Sequence, residues 1–302
     1  MQIRTLFHLA AATFGLIATA NATYAAPPAG ASTATSIKQQ PGKYFSHVLV
    51  IMLENKDFID VAKQPYFESL GARGRVLTQY SGLTHPSQPN YIGAIFGSLD
   101  GVNMNYDVNI PGANIVDLLE DKGITWKAYM EKYPGNCFAG SHASKKLYRR
   151  KHNPFISADT IRNDPARCAK IVNADEIDDD IQAGQLPQFS FYTPDMDNDG
   201  HDTSLKYAAK WLSGFLEPKL KSPEILGKDS LVIVTFDEDD SKLAGNLVWT
   251  GLLGRAVGAE ETDTTPYNHY SLLRTIEDNW DLGTLGRDDE HAQAFRNLRT
   301  LR

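Results

Sequence analysis

The run HVLVIML at residues 47–53 contains no polar residue between Val48 and Leu53. A strand that is apolar on both sides must be buried on both sides. That is the habit of a parallel sheet covered by helices, whereas an antiparallel sheet with a wet face alternates polar and apolar residues. Three more runs read as strands: RVLTQYSGL (75–83), FSFYTP (189–194) and SLVIVTF (230–236). Helical patterns lie between them, among them IVDLLEDKG (115–123), which Gly123 stops, and LKYAAKWLSGFLEPKL (205–220). Trp126, Tyr129 and Trp211 fall on apolar faces and are expected in the core. Strands alternating with amphipathic helices predict an α/β fold with a mostly parallel central sheet sandwiched by helices.

In such sheets ligands sit beyond the carboxyl ends of the strands, and polar residues collect there. Glu54 and Asn55 follow the first run, and THPSQPNY (84–91) follows the second. Asp195, Asp197, Asn198, Asp199, His201 and Asp202 follow the third, and Asp237, Glu238, Asp239 and Asp240 follow the fourth. One acid at a strand end is an ordinary cap or turn former. So many carboxylates at four ends repel one another, and a bound divalent cation with oxygen and imidazole ligands would relieve that. Its identity is left open by the sequence. Asp195 and Asp197 read as turn residues, and Asp239 and Asp240 as solvated or supporting the ligands.

The chain opens differently. Residues 1–25 hold Arg4, a short apolar run broken by Thr13, Gly15 and Thr19, and small residues at Ala20, Ala22 and Ala25. This is the pattern of a cleaved export signal, and the run is too short and interrupted for a stable membrane anchor. Residues 26–42 read as a flexible leader, and 43–302 as a single domain that is secreted or periplasmic. Arg4 is the one charge in residues 1–25, so the remainder carries −8 against −7 for the whole chain. No basic run offsets that charge, which argues against nucleic-acid binding. In an oxidising compartment, Cys137 and Cys168 are expected to form one disulfide.

SGLTHPSQPNYIGAIFGS (81–98) sets Ser87 between Pro86 and Pro89, with His85 before it and Asn90 after it. A helix beginning near Pro89 would place that hydroxyl at a helix N-terminus, facing any anion held by free N–H groups. A serine, a cation, carboxylates and histidines together suit phosphoryl transfer.

Six stretches in order, LENKDF (53–58), THPSQPNY (84–91), YRRKHNPF (148–155), DNDGHD (197–202), VTFDEDD (234–240) and NHYSLLRTIEDNW (268–280), resemble the phosphoesterase family. That family includes secreted acid phosphatases and bacterial phospholipases C, within the alkaline-phosphatase-like superfamily. The chain looks most like the small secreted bacterial acid phosphatases. The resemblance implies Ser87 as nucleophile and Glu54, Asn55, Ser87, Asp237 and Glu238 as metal ligands. It implies His85, His152, His201 and His269 at the phosphoryl or leaving group, with Asn90 and Asp202 on the substrate side. The substrate would be a small phosphate monoester, such as a nucleotide, or a phospholipid headgroup such as a phosphoinositide. Lys56 and Asp57 depart from the longer Glu-Asn-x-Ser-Phe-Asp-His stretch of the phospholipases C, which favours a compact phosphatase. A phospholipase C or phosphodiesterase, and an inactive acidic metal-binding protein, are the alternatives.

Overall fold

The computed structural model describes residues 40–301 except 228, 243–244 and 259–261. The expected export signal and leader lie outside these, apart from residues 40–42. Eight strands form the central sheet: β1 (His47–Leu53), β2 (Arg75–Leu77), β3 (Trp126–Met130), β4 (Ile171–Asn173), β5 (Phe189–Thr193), β6 (Ser230–Phe236), β7 (Thr250–Leu253) and β8 (Thr262–Asp263). Their order is β8-β2-β7-β6-β1-β5-β3-β4. Every pair is parallel except the two that β7 makes, with β2 and with β6. The α/β, mostly parallel architecture expected from the sequence is the one found.

The 47–53 run sits inside the sheet. β1 pairs with β6 from His47–Ser230 to Leu53–Phe236, and with β5 on its other edge. All of β6, and β1 from Val48 onward, is buried. Successive side chains point to opposite faces of a sheet, so burial at every position means both faces are covered. Pro194, which has no N–H to donate, stands just past the end of β5.

The 75–83 run does not form one strand. It splits at Thr78, whose N–H and hydroxyl both turn to the Asp263 carbonyl, and Tyr80–Ser81 then pairs with Tyr267–Asn268 in a separate small sheet. Four helices bear on the site: α1 (Ser87–Phe96), α2 (Ile115–Asp121), α3 (Leu205–Lys219) and α4 (His269–Trp280). Asn114 caps α2 and Asn268 caps α4, each in a reciprocal capping box. α4 packs against α1. Among the described residues, no helix is long and apolar enough to cross a membrane.

Cys137 and Cys168 are joined, their Cα atoms 5.6 Å apart. In the chain-entropy account, closing a loop of this size stabilises the fold by about 3–4 kcal/mol. Reduction should therefore lower the melting temperature by roughly 5–10 °C. An unchanged melting curve in reductant would show that the crosslink adds nothing to stability.

α4 also carries a buried acid, Glu277, neither of whose carboxylate oxygens finds a hydrogen-bond partner. Burial, and then the nearby Asp289 charge, push its pKa up to about 9. The folded chain thus holds this proton more tightly than the unfolded chain does. Its contribution to stability is complete below the ordinary carboxyl range and is lost as pH rises towards 9. Glu277→Gln should raise the melting temperature at pH 8 and leave it nearly unchanged at pH 4. A variant whose deficit or gain is the same at both values would refute the shift.

Candidate active site

Three neighbouring strands deliver the polar residues to one place. β1 ends in Glu54 and Asn55, and β6 ends in Asp237 and Glu238. The loop after β5 runs from Asp195 to Asp202. The ends are laced together by backbone: Asp237 N–H donates to the Leu53 carbonyl at 3.0 Å, and Glu54 N–H to the Asp199 carbonyl at 3.1 Å. Asn55 adopts a left-handed φ of 32°, which asparagine tolerates better than most residues. Its N–H meets Asp237 Oδ1 at 3.1 Å and its Nδ2 donates to Glu238 Oε1 at 3.0 Å. Lys56 and Asp57, the residues that depart from the phospholipase C pattern, serve as ties. Lys56 Nζ donates to the Asn55 and Gly200 carbonyls, while Asp57 Oδ1 accepts from Asp240 and Ser241 N–H.

Ser87 enters from α1. That helix starts at Ser87 rather than near Pro89, because proline is tolerated in a first turn, where N–H groups have no intrahelical partner. The serine is only 2% exposed. Its Oγ lies 3.0 Å from Glu54 Oε2 and 3.1 Å from Glu238 Oε1, two residues from separate strands, and its one proton can serve either. Lys151 Nζ stands 3.4 Å from the same oxygen and 4.0 Å from Glu54 Oε2. Tyr91, one turn along α1, donates to Glu54 Oε1 at 2.5 Å. Asn90 is turned the other way. Its Oδ1 accepts from Leu83 and Thr84 N–H and its Nδ2 donates to the Thr84 carbonyl, so the amide expected on the substrate side braces its own loop.

The four histidines take different places. His85 lies 2.5 Å from Glu238 Oε2 through Nδ1 and 3.3 Å from Asp239 Oδ1 through Nε2. His152 is buried against the Tyr91 ring, 3.2 Å from Glu54 Oε1 and 3.6 Å from Asp199 Oδ2. His201 is the most open, its Nδ1 2.8 Å from the exposed Asp202 and its ring 6.2 Å from that of His152. His269 is wholly buried, with Nδ1 at 3.0 Å from the Tyr80 hydroxyl and Nε2 at 2.7 Å from the Asp237 carbonyl. It stands behind Asp237 and does not face the opening, because α4 brings it in from the back of the strand end.

Burial and like charge dominate the electrostatics. Burial, then the Glu54 charge, push Asp237 and Asp199 well above the ordinary carboxyl range, and Glu238 rises for the same reasons, with His85 opposing. Burial also acts on Glu54, but His152, Lys151 and the Tyr91 hydroxyl more than offset it and hold this carboxylate low. Burial holds His152 down, to about 4.

Whether this set suits a cation can be judged from its oxygens. Among the described residues, no three histidine, cysteine or carboxylate side chains alone form a metal-binding group. Yet Asn55 Oδ1 and Asp237 Oδ2 are buried without a hydrogen-bond partner, and Glu238 Oε2 has only His85 Nδ1 beside it. With Glu54 and Ser87 they make an all-oxygen donor set, which fits a hard divalent ion.

Sequence reasoning assigned no role to Lys151, Tyr91 or Asp199. Each lies inside a quoted motif, next to or near a residue that was singled out. Asp239, read as solvated or supporting, is fully buried beside His85.

Comparisons with known proteins agree in direction. The model of the Phosphoesterase family matches residues 60–283, which include Ser87 and Asp237 but begin after Glu54 and Asn55. A probable acid phosphatase of Kluyveromyces lactis is 39% identical over 264 residues, covering 84% of this chain and 62% of its own length. An acid phosphatase of Aspergillus fumigatus is 34% identical over 296 residues, 92% of this chain and 66% of its own. This chain thus spans somewhat less than two thirds of these fungal relatives. A phosphatidylinositol-3-phosphatase of Mycobacterium tuberculosis is 30% identical over 247 residues, 80% of this chain and 79% of its own. Among solved structures, an alkaline phosphatase superfamily protein from Vibrio parahaemolyticus shares the fold, with TM-score 0.56 and 14% identity over 83% of this chain and 70% of that one.

Proposed function

The chain belongs to the phosphoesterase family, and on that premise we propose that it is an exported, metal-dependent acid phosphatase acting on phosphate monoesters. One observation carries the reading. A single hydroxyl at the first position of a helix is held between Glu54 and Glu238, with Lys151 Nζ 3.4 Å away. Glu54, Asn55, Ser87, Asp237 and Glu238 would hold the cation. When bound, it would neutralise the buried carboxylates and favour the alkoxide form of Ser87.

Ser87 Oγ passes its proton to Glu238 Oε1, 3.1 Å away, and attacks phosphorus. The bond from phosphorus to the leaving oxygen breaks as the new one forms, leaving a phosphoserine and an alcohol. Lys151 stabilises charge that develops beside Oγ, and the N-terminal end of α1 favours the anion. His201, the most open of the four histidines, gives the departing oxygen its proton, and Asp202 orients the ring through Nδ1. Water attacks the phosphoserine in the second half, His201 accepts its proton, and the P–Oγ bond breaks to release phosphate as Glu238 returns the first proton to Ser87 Oγ. His85 holds Glu238, and His269 holds the Asp237 backbone.

A phosphodiesterase or phospholipase C remains the alternative on the same residues. Turnover of p-nitrophenyl phosphate should exceed that of bis(p-nitrophenyl) phosphate at least a hundredfold, since only a monoester presents three free oxygens to the cation and Lys151. Added ethanol should appear as ethyl phosphate, because a covalent intermediate can be intercepted by an alcohol. Preferential turnover of the diester, with no ethyl phosphate formed, would overturn the reading.

A further inference from the structure

Four large apolar side chains stand out among the described residues as exposed: Ile59 (59%), Met104 (57%), Tyr106 (48%) and Tyr207 (46%). Scattered singly they would need no account. All four instead lie on segments at the carboxyl-end face of the sheet. Ile59 is two residues beyond Asp57, whose carboxylate accepts from Asp240 and Ser241 N–H. Tyr207 is in the first turn of α3, just past the loop of His201. Met104 and Tyr106 flank Asn105, which accepts from Gln88 N–H at 3.0 Å, while Tyr106 N–H returns a bond to Gln88 Oε1 at 2.7 Å. Met104 and Tyr106 are therefore pinned to the residue after Ser87.

Two exposed lysines also stand beside that pair. His142–Ala143 and Tyr148–Arg149 form a small antiparallel hairpin, tied to the Tyr106 loop by Ser141 Oγ donating to Asp107. Leu147 accepts from Met196 N–H at 3.1 Å, which sets the hairpin against the loop that follows β5. At its tip Ser144, Lys145 and Lys146 take left-handed φ values of 50°, 58° and 73°, and both lysines are exposed. Asp107 is engaged by Ser141 and Asp202 by His201. Asp100, exposed on the Met104 loop, faces Arg287 at 3.7 Å, and the exposed Asp60 and Asp240 belong to the Ile59 side. The chain as a whole is acidic at −7, so this is a local reversal of its charge.

We propose that Met104, Tyr106, Lys145 and Lys146 form a docking surface for an anionic phospholipid bilayer, which brings a lipid-borne phosphate monoester to Ser87. Apolar side chains entering the headgroup layer beside lysines that meet anionic lipid is the combination that holds proteins reversibly at an interface. A purely anionic polymer would use the lysines but not the apolar pair. A second copy of this acidic chain would use the apolar pair but be repelled elsewhere. The delivery of substrate rests on the phosphatase reading, whereas the docking itself does not.

Sedimentation with vesicles tests it, using phosphatidylcholine with and without phosphatidylserine. The protein should bind the phosphatidylserine vesicles at least about tenfold more tightly, and added salt should weaken that binding. Met104→Ser with Tyr106→Ser, and separately Lys145→Glu with Lys146→Glu, should each reduce it by about tenfold. Hydrolysis of soluble p-nitrophenyl phosphate should stay within about twofold of wild type for both, which also shows that they fold. Absent binding to phosphatidylserine vesicles, or binding equal in all variants, would overturn the proposal. So would a dimer seen by light scattering that the Met104 and Tyr106 changes dissolve, since the surface would then serve a second copy. Vesicle binding that follows these expectations in a protein with no monoester turnover would sink the phosphatase reading and leave the docking surface standing.

Discussion

Ser87→Ala should lower turnover of a phosphate monoester by about three orders of magnitude or more, about 4 kcal/mol of barrier. The substitution deletes the attacking atom and little else. Pro86 and Pro89 still restrict the backbone on either side, and α1 still begins at position 87. Glu54 loses one donor but keeps the Tyr91 hydroxyl at 2.5 Å. The melting temperature should accordingly move by no more than about 2 °C. Ethyl phosphate formation from added ethanol should vanish with hydrolysis, because both pass through the same covalent species. A folded alanine variant keeping more than a tenth of wild-type turnover would leave Ser87 a turn residue, and the mechanism would need another nucleophile.

Removal of the metal, or Asp237→Asn, should cost at least a hundredfold in turnover. Asp237 Oδ1 holds Asn55 N–H, and Oδ2 is buried with no partner. The asparagine keeps the shape and the backbone bond to His269 while deleting the charge. Metal bound per protein, measured on the same samples, should fall with activity. In metal-free protein the same variant should melt no lower than wild type. There Asp237 sits among like charges in a buried place, and removing one charge relieves repulsion that no cation is present to offset. Full turnover by a sample shown to contain no metal would end the metal-centred mechanism. Activity lost together with a large drop in melting temperature in metal-free protein would mark Asp237 as structural.

The strands that place the site were legible in the sequence because their burial left no choice. Val48 to Leu53 is apolar at every position, and Leu231 to Phe236 at every position but Thr235. Only a central strand of a covered parallel sheet satisfies both faces of such a run. The rule that ligands sit past the carboxyl ends then singled out Glu54, Asn55, Asp237 and Glu238, which the fold brings within hydrogen-bond reach of one another and of Ser87. Short or less uniform strands gave no such signal. Trp126–Met130, Ile171–Asn173, Thr250–Leu253 and Thr262–Asp263 were not read as strands, and the 75–83 run hid a break at Thr78 that depends on the Asp263 carbonyl, far along the chain.

What only the tertiary structure decided is the direction in which each side chain points. Asn90 and Ser87 are three residues apart at the start of one helix, yet the hydroxyl faces the carboxylates while the amide closes its own loop. His201 and His269 stand in equally suggestive motifs. One lies at the open side with Asp202, and the other is sealed behind Asp237 by the Tyr80 hydroxyl. Lys151 reaches Ser87 from a segment 64 residues away. The composition of a motif fixes which groups are available at a strand end or a helix start. Their orientation depends on packing against elements remote in the chain, whose positions the local sequence does not encode.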